Sequence, residues 1–153
     1  MSTGISRRQM LAAGAAVAAG VAWAATRSLP GTRSIAAEID AARGQGKALV
    51  LMVSLDHCPF CRVVRENYLV PLRESGQPVV QIDMGHADAL VDAQGNASTH
   101  AQVIRALGVR VAPTVLFLGS GGKELAPRLI GMAADFYAAY LQDRLDTAAK
   151  ALG

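Results

Sequence analysis

Cysteine is scarce in this chain: 153 residues carry two. That is too few for a disulfide-dense small scaffold, where several bridges replace a core. Aromatic residues make up only 5%, with a single Trp, so a core must come from aliphatic side chains. No apolar run reaches the ~20 residues of a comfortable membrane span. The longest, Met10–Ala25, is dominated by Ala, Gly and Val, and Ala-rich helices insert only weakly. Charged residues are sparse at 18%, yet 52% of the chain is hydrophobic with 15 Gly and 6 Pro. This excludes a disordered or collagen-like polymer and suits one globular α/β domain. The net charge of +3 invites a nucleic-acid reading. Without residues 1–24, which hold Arg7 and Arg8, basic residues fall from 15 to 13 against 12 acidic, leaving +1. No basic cluster survives, and nucleic-acid binding is excluded.

The opening segment has its own logic. Ser6-Arg7-Arg8-Gln9-Met10-Leu11 precedes a stretch without charge up to Arg27, and Ala22-Trp23-Ala24 is a small-x-small site. A positive start, a short apolar centre and such a site read as an export signal. The paired arginines resemble the twin-arginine export motif. The expectation is a signal over residues 1–24, a linker over 25–33 and a working domain over 34–153, placed in the bacterial periplasm. An uncleaved leader anchored in the inner membrane and facing the periplasm is the alternative, and a buried Ala-rich helix is a third reading. Membrane association is expected only if the leader stays.

Beyond the leader, Ser34 has the character of a cap for a helix running to about Gln45, ended by Gly44 and Gly46. Ala48–Leu55 is a short apolar run rich in strand formers, expected as an interior strand buried on both faces. A helix follows from about Pro59, with Pro71 expected to end or kink it. Val79–Asp83 reads as a second strand. Gly85–Ala97 is polar and aperiodic, so a long loop is expected, and Met84–His100 reads as solvated. Thr99 and Gln102 have capping-box spacing for a helix that Gly108 ends. Thr114–Leu118 and Glu124–Ile130 read as a hairpin about Gly119–Gly122. A last helix from about Ala133 carries Tyr137, Leu141, Leu145 and Ala148 on one face. No internal repeat is present.

The chemistry lies in Cys58-Pro59-Phe60-Cys61, where a buried strand hands over to a helix. A cysteine at a helix start faces unpaired N–H groups and the positive end of the helix dipole, which favour thiolate. Such sites lower a cysteine pKa from about 8.5 into a range of about 3.5–7.5. Pro59 suits the first helical turn, and three-residue spacing puts Cys61 within disulfide reach of Cys58. A C-x-x-C in a βαβ context favours a redox pair. Two alternatives stay open. A four-residue loop removes little unfolded-state entropy, which weakens a purely structural disulfide. A tetrahedral metal site using His57 lacks a fourth ligand, since neither His86 nor His100 has ligand-like spacing, whereas two thiolates suffice for Cu(I). No resident metal or organic cofactor is expected.

With Val111-Ala112-Pro113-Thr114 standing before a strand, the region from about Lys47 to Leu152 resembles the thioredoxin-like superfamily. It is most similar to exported members with Cys-Pro-aromatic-Cys motifs, such as those associated with periplasmic sulfur oxidation. The resemblance implies a thioredoxin-like α/β fold with a central mixed four-stranded sheet flanked by helices. It also implies a cis Ala112–Pro113 bond facing the cysteines, and a substrate groove formed by Ala112, Pro113 and Thr114. The activity implied is protein thiol–disulfide exchange, with Cys58 attacking, Cys61 resolving the mixed disulfide, and a redox partner protein recycling the pair. The chain departs from cytoplasmic thioredoxins in having His57 before the first Cys and Pro59-Phe60 within the motif. Met52 stands where a buried acid is usual, six residues earlier. His57 is a candidate for tuning the thiolate and Asp56 for replacing the missing base, though both also read as surface residues. Phe60 reads equally as a cover for the disulfide and as packing.

Overall fold

The computed structural model describes residues 27–133 and 135–153. The export signal expected over residues 1–24 lies outside them. Among the described residues no helix is long and apolar enough to cross a membrane.

The strand β1, Leu49–Ser54, is buried at every position. It is parallel to β2, Val79–Asp83, on one side and antiparallel to β5, Thr114–Leu118, on the other. With β6, Glu124–Ile130, on the outer edge of β5, the order is β2-β1-β5-β6. This is the mixed four-stranded sheet expected. Pleating sends alternate β1 side chains into two cores. Val50 and Met52 join Cys61, Val64, Val79, Phe117 and Tyr137 on one face. Leu49, Leu51 and Val53 join Ile35, Ile39, Ile82 and Leu116 on the other.

Helices cover both faces. The helix α1, Ile35–Gly44, starts at Ser34, whose side chain accepts the Ala37 N–H as the sequence implies. After β1 the chain enters α2, Pro59–Val64, and Pro71 neither ends nor breaks the helical run that continues from it. A π-helical turn over Arg65–Leu69 lies between α2 and α3, Val70–Glu74, and the Val70 N–H donates to the Arg65 carbonyl. The wider turn admits a proline without N–H one residue later. The last helix, α5, Tyr137–Leu152, begins a few residues later than expected. It docks through Tyr137, whose ring centroid lies 4.8 Å from that of Tyr68 in the π-turn.

The loop expected over Gly85–Ala97 is instead a small antiparallel hairpin, β3, Ala89–Val91, with β4, Ala97–Thr99. Asp92 closes it by accepting the Gln94 and Asn96 N–H groups. Those backbone bonds, Asn96's first, hold its carboxyl below the usual aspartate value. Leu90 anchors the hairpin in the second core. Nor is Met84–His100 simply solvated, because His100 is buried at the start of α4, His100–Ala106. Thr99 caps α4 as expected, accepting the Gln102 N–H.

The hairpin meets the β5–β6 turn at Gly122, where φ is +77° and an added Cβ would lie 2.6 Å from Ala93 Cβ. We expect Gly122→Ala to lower stability by about 1–3 kcal/mol through backbone strain and overpacking. Urea unfolding followed by circular dichroism checks this, and an unchanged midpoint would show that the hairpin yields freely.

Candidate active site

Four residues past the end of β1, Cys58 is the N-cap of α2, and Cys58 and Cys61 form a disulfide with Cα atoms 5.2 Å apart. That separation is ordinary for a disulfide. The two sulfurs differ in surroundings. Cys58 is half-buried, whereas Cys61 is fully buried in the core with Met52 and Val64. Cys58 Sγ accepts the Cys61 N–H at 3.1 Å, the role that a serine or aspartate oxygen plays at an ordinary helix start. A donor aimed at a sulfur stabilises negative charge on it, so the geometry favours Cys58 as the thiolate that meets solvent. Pro59 occupies the first helical position, and Phe60 is 61% exposed, so it is not a packing residue of the core.

The Ala112–Pro113 peptide bond is cis. Ala112 and Cys58 are both half-buried against the same core cluster. The Thr114 hydroxyl donates to the Val111 carbonyl at 2.7 Å, and the Pro113 carbonyl accepts the Gly131 N–H at 2.8 Å. These bonds tie the segment to the ends of β5 and β6. Leu55 and Val111 join Phe60 as exposed apolar side chains.

Asp56 and His57 lie on the surface between β1 and α2. His57 makes the turn in left-handed backbone, φ +55°, a region that histidine visits more readily than most residues. The Asp56 carboxylate pairs with His86, Nε2 to Oδ2 2.9 Å, and Asp88 takes the other ring nitrogen at 3.3 Å. The hydrogen bond with Asp56 raises the His86 pKa above its ordinary 6.5, and the bond with His86 lowers Asp56 below its ordinary 3.8. His86 stacks on His100, whose Nδ1 accepts the Asp83 N–H at 3.2 Å.

A polar network closes the other flank. Arg65, opening the π-turn, donates from Nε to Gln81 Oε1 at 2.8 Å and from Nη2 to Ser54 Oγ at 2.9 Å. The Gln81 side-chain amide donates in turn from Nε2 to Asp83 Oδ1 at 2.7 Å. Between this network and Cys58 lies an open cavity of about 600 Å³, with Arg62 and Pro59 on its rim.

A thioredoxin-like domain model matches residues 35–145, from the start of α1 well into α5. The chain belongs to the thioredoxin-like domain family. No curated protein matches it by sequence. Among solved structures, a thioredoxin-fold protein from Helicobacter pylori is 15% identical over 83% of each chain, with a TM-score of 0.59. An oxidoreductase named DsbH is 16% identical over 94% of this chain and 95% of that one, at 0.51. The thioredoxin pre-protein of Schistosoma mansoni is 12% identical over 78% and 96%, also at 0.51. At these identities the likeness establishes the fold. A disulfide-bonded C-x-x-C pair in a thioredoxin-like fold fits thiol–disulfide exchange.

Within the thioredoxin-like frame, Met52 lies fully buried in the cluster of Cys61, so that position offers no proton acceptor. Asp56 sits on the surface with His86. Among the described residues no group of three or more His, Cys, Asp or Glu has the geometry of a metal site. The residues that sequence reading missed are Ser54, Arg62, Arg65, Gln81 and His86. A signal existed for two of them: Ser54 and Gln81 each interrupt an apolar strand run. None existed for His86, which lies 30 residues from its partner.

The His86–Asp56 pair needs the imidazolium. Its stabilising contribution is present below the unfolded histidine value near 6.5 and is lost as pH rises through the higher folded value. On the acid side it is lost as pH falls through the depressed Asp56 value, below 3.8. We expect a histidine NMR titration to place the His86 midpoint above 6.5, and Asp56→Asn to bring it down. An identical midpoint in that variant would show that the pair does not form in solution.

Proposed function

We propose that the chain is an exported thiol–disulfide oxidoreductase that works on other proteins in the periplasm, in the reducing direction. The observation that carries this is the asymmetry of the pair, with a half-exposed Cys58 sulfur held by a backbone donor and a Cys61 sulfur sealed in the core. An inert staple has no need of one accessible, charge-stabilised sulfur. The periplasmic placing is supported by the Arg7-Arg8 leader with its Ala22-Trp23-Ala24 site.

In the reduced protein, the Cys58 thiolate attacks one sulfur of a substrate disulfide. That S–S bond breaks, one substrate thiolate leaves and takes a proton, and Cys58 is joined to the other sulfur. Cys61, as thiolate, then attacks Cys58 Sγ and expels the second substrate thiolate. Two electrons have passed to the substrate and the Cys58–Cys61 disulfide remains, to be reduced by a partner protein. The backbone around cis Pro113, with Ala112 and Thr114, lines the groove for an extended substrate segment, and Leu55, Phe60 and Val111 offer it apolar contact. His57, beside Cys58, adds positive charge near the thiolate when protonated. No organic cofactor is needed, because the electrons reside on the two sulfurs.

Cys58→Ser is expected to reduce insulin-disulfide turnover to background. Cys61→Ser is expected to accumulate protein mixed disulfides, visible as non-reducing gel bands that vanish with dithiothreitol. Full turnover in Cys58→Ser would refute the assignment. The direction is read from the reduction potential of the pair, equilibrated in dithiothreitol buffers. A value near about −270 mV is expected for a reductant, one near about −120 mV would reverse the direction, and one below about −300 mV would make the pair a structural staple.

A further inference from the structure

The core face beneath α2 changes character along its length. On β1 it presents Val50, Met52 and Ser54, and their register partners on β2 are Val79, Gln81 and Asp83. It is aliphatic at one end and polar at the carboxyl ends of the two parallel strands, where α/β sheets commonly leave a crevice. Arg65 reaches into that end and spends two of its three nitrogens on Gln81 and Ser54. Its Nη1 has no partner among the described residues. Arg62, one turn earlier, lines the same cavity and forms no ion pair among the described residues. Against these two guanidinium groups stands Asp83, one of whose oxygens is already taken by Gln81. Asp56, the other carboxylate at the cavity, is engaged by His86. The lining thus sets two guanidinium groups beside two carboxylates, and the guanidinium donors left without a partner among the described residues are those of Arg62 and the Nη1 of Arg65, in a cavity that opens onto Cys58. Its volume of about 600 Å³ suits a small molecule rather than a folded partner.

We propose that this cavity binds low-molecular-weight disulfides that carry a carboxylate, holding the carboxylate on Arg62 and Arg65 and presenting a sulfur to Cys58. The proposal rests on the exchange chemistry above and names a substrate class for it. The Cys58 thiolate attacks one sulfur of the small disulfide, whose S–S bond breaks, and one carboxylate-bearing thiolate leaves and is protonated by water. The Cys61 thiolate then attacks Cys58 Sγ and releases the second thiolate. The protein dithiol is the two-electron reductant, and the small disulfide is the oxidant.

The test compares two small disulfides of opposite character, the dianion dithiodipropionate and the neutral hydroxyethyl disulfide. Reduced full-length protein is mixed with each, quenched with a maleimide that adds mass to free thiols, and resolved on a gel. Intrinsic reactivity of the two probes cancels when the ratio of their rate constants is compared between wild type and Arg62→Gln. Arg62 is exposed, so folding tolerates the change. The anion-to-neutral ratio is expected to fall about fivefold in the variant, the worth of an exposed charge pair at the upper end of its range. It is also expected to fall with added salt in the wild type. A ratio insensitive to both Arg62→Gln and salt overturns the cavity assignment. So does failure of both small disulfides to oxidise a protein that still reduces insulin. If insulin also goes unreduced, the exchange reading falls with it.

Discussion

A strand with neighbours along both edges and burial on both faces cannot shift its end. β1 is such a strand, held by β2 and β5 with all six residues buried. Cys58 caps α2 only four residues past Ser54, so the position of the disulfide is inherited from the most constrained element of the fold. Each buried aliphatic side chain there contributes about 1.5–3 kcal/mol. The same burial strips solvent from Cys61 while the short turn through Asp56 and His57 leaves Cys58 within reach of water. The difference between the two sulfurs follows from where the strand stops.

The polar end of the core imposes a second constraint. Burying Ser54 and half-burying Gln81 and Asp83 next to aliphatic side chains costs free energy unless each finds a partner. Arg65 supplies two of those partners, and the π-helical turn that begins with Arg65 also lets Pro71 follow without breaking the helix. An irregularity that looks at first like a defect around a proline also accompanies the cavity beside the disulfide. π-turns of this kind recur at functional sites.

Legibility in the sequence tracked the length and periodicity of the signal. Ala48–Leu55, Val79–Asp83 and the Thr114–Ile130 hairpin are long apolar or strand-rich runs, and they hold the four strands of the main sheet. Ser34 and Thr99 cap helices through the bonds their residue types suggest. The small hairpin from Ala89 to Thr99 went unread because three-residue strands have no period to detect, and Leu90 is its single deeply buried side chain. Local rules expect Pro71 to end or kink the helix; it does not end it, and the irregularity falls in the π-turn just before it.

The sequence alone determined that a buried strand leads into a C-x-x-C at a helix start, that the chain carries only these two cysteines, and that Pro113 stands directly before the strand Thr114–Leu118. These are local facts of order and spacing, and the proposed exchange chemistry rests on them. Tertiary structure alone decided which charges stand around the pair. Asp56 meets His86 across 30 residues, and Arg65 meets Gln81 across 16. The register of β1 on β2 brings Ser54 beside Asp83. Such meetings depend on how strands align and on where a helix widens, and neither leaves a mark in the residues taken one neighbourhood at a time.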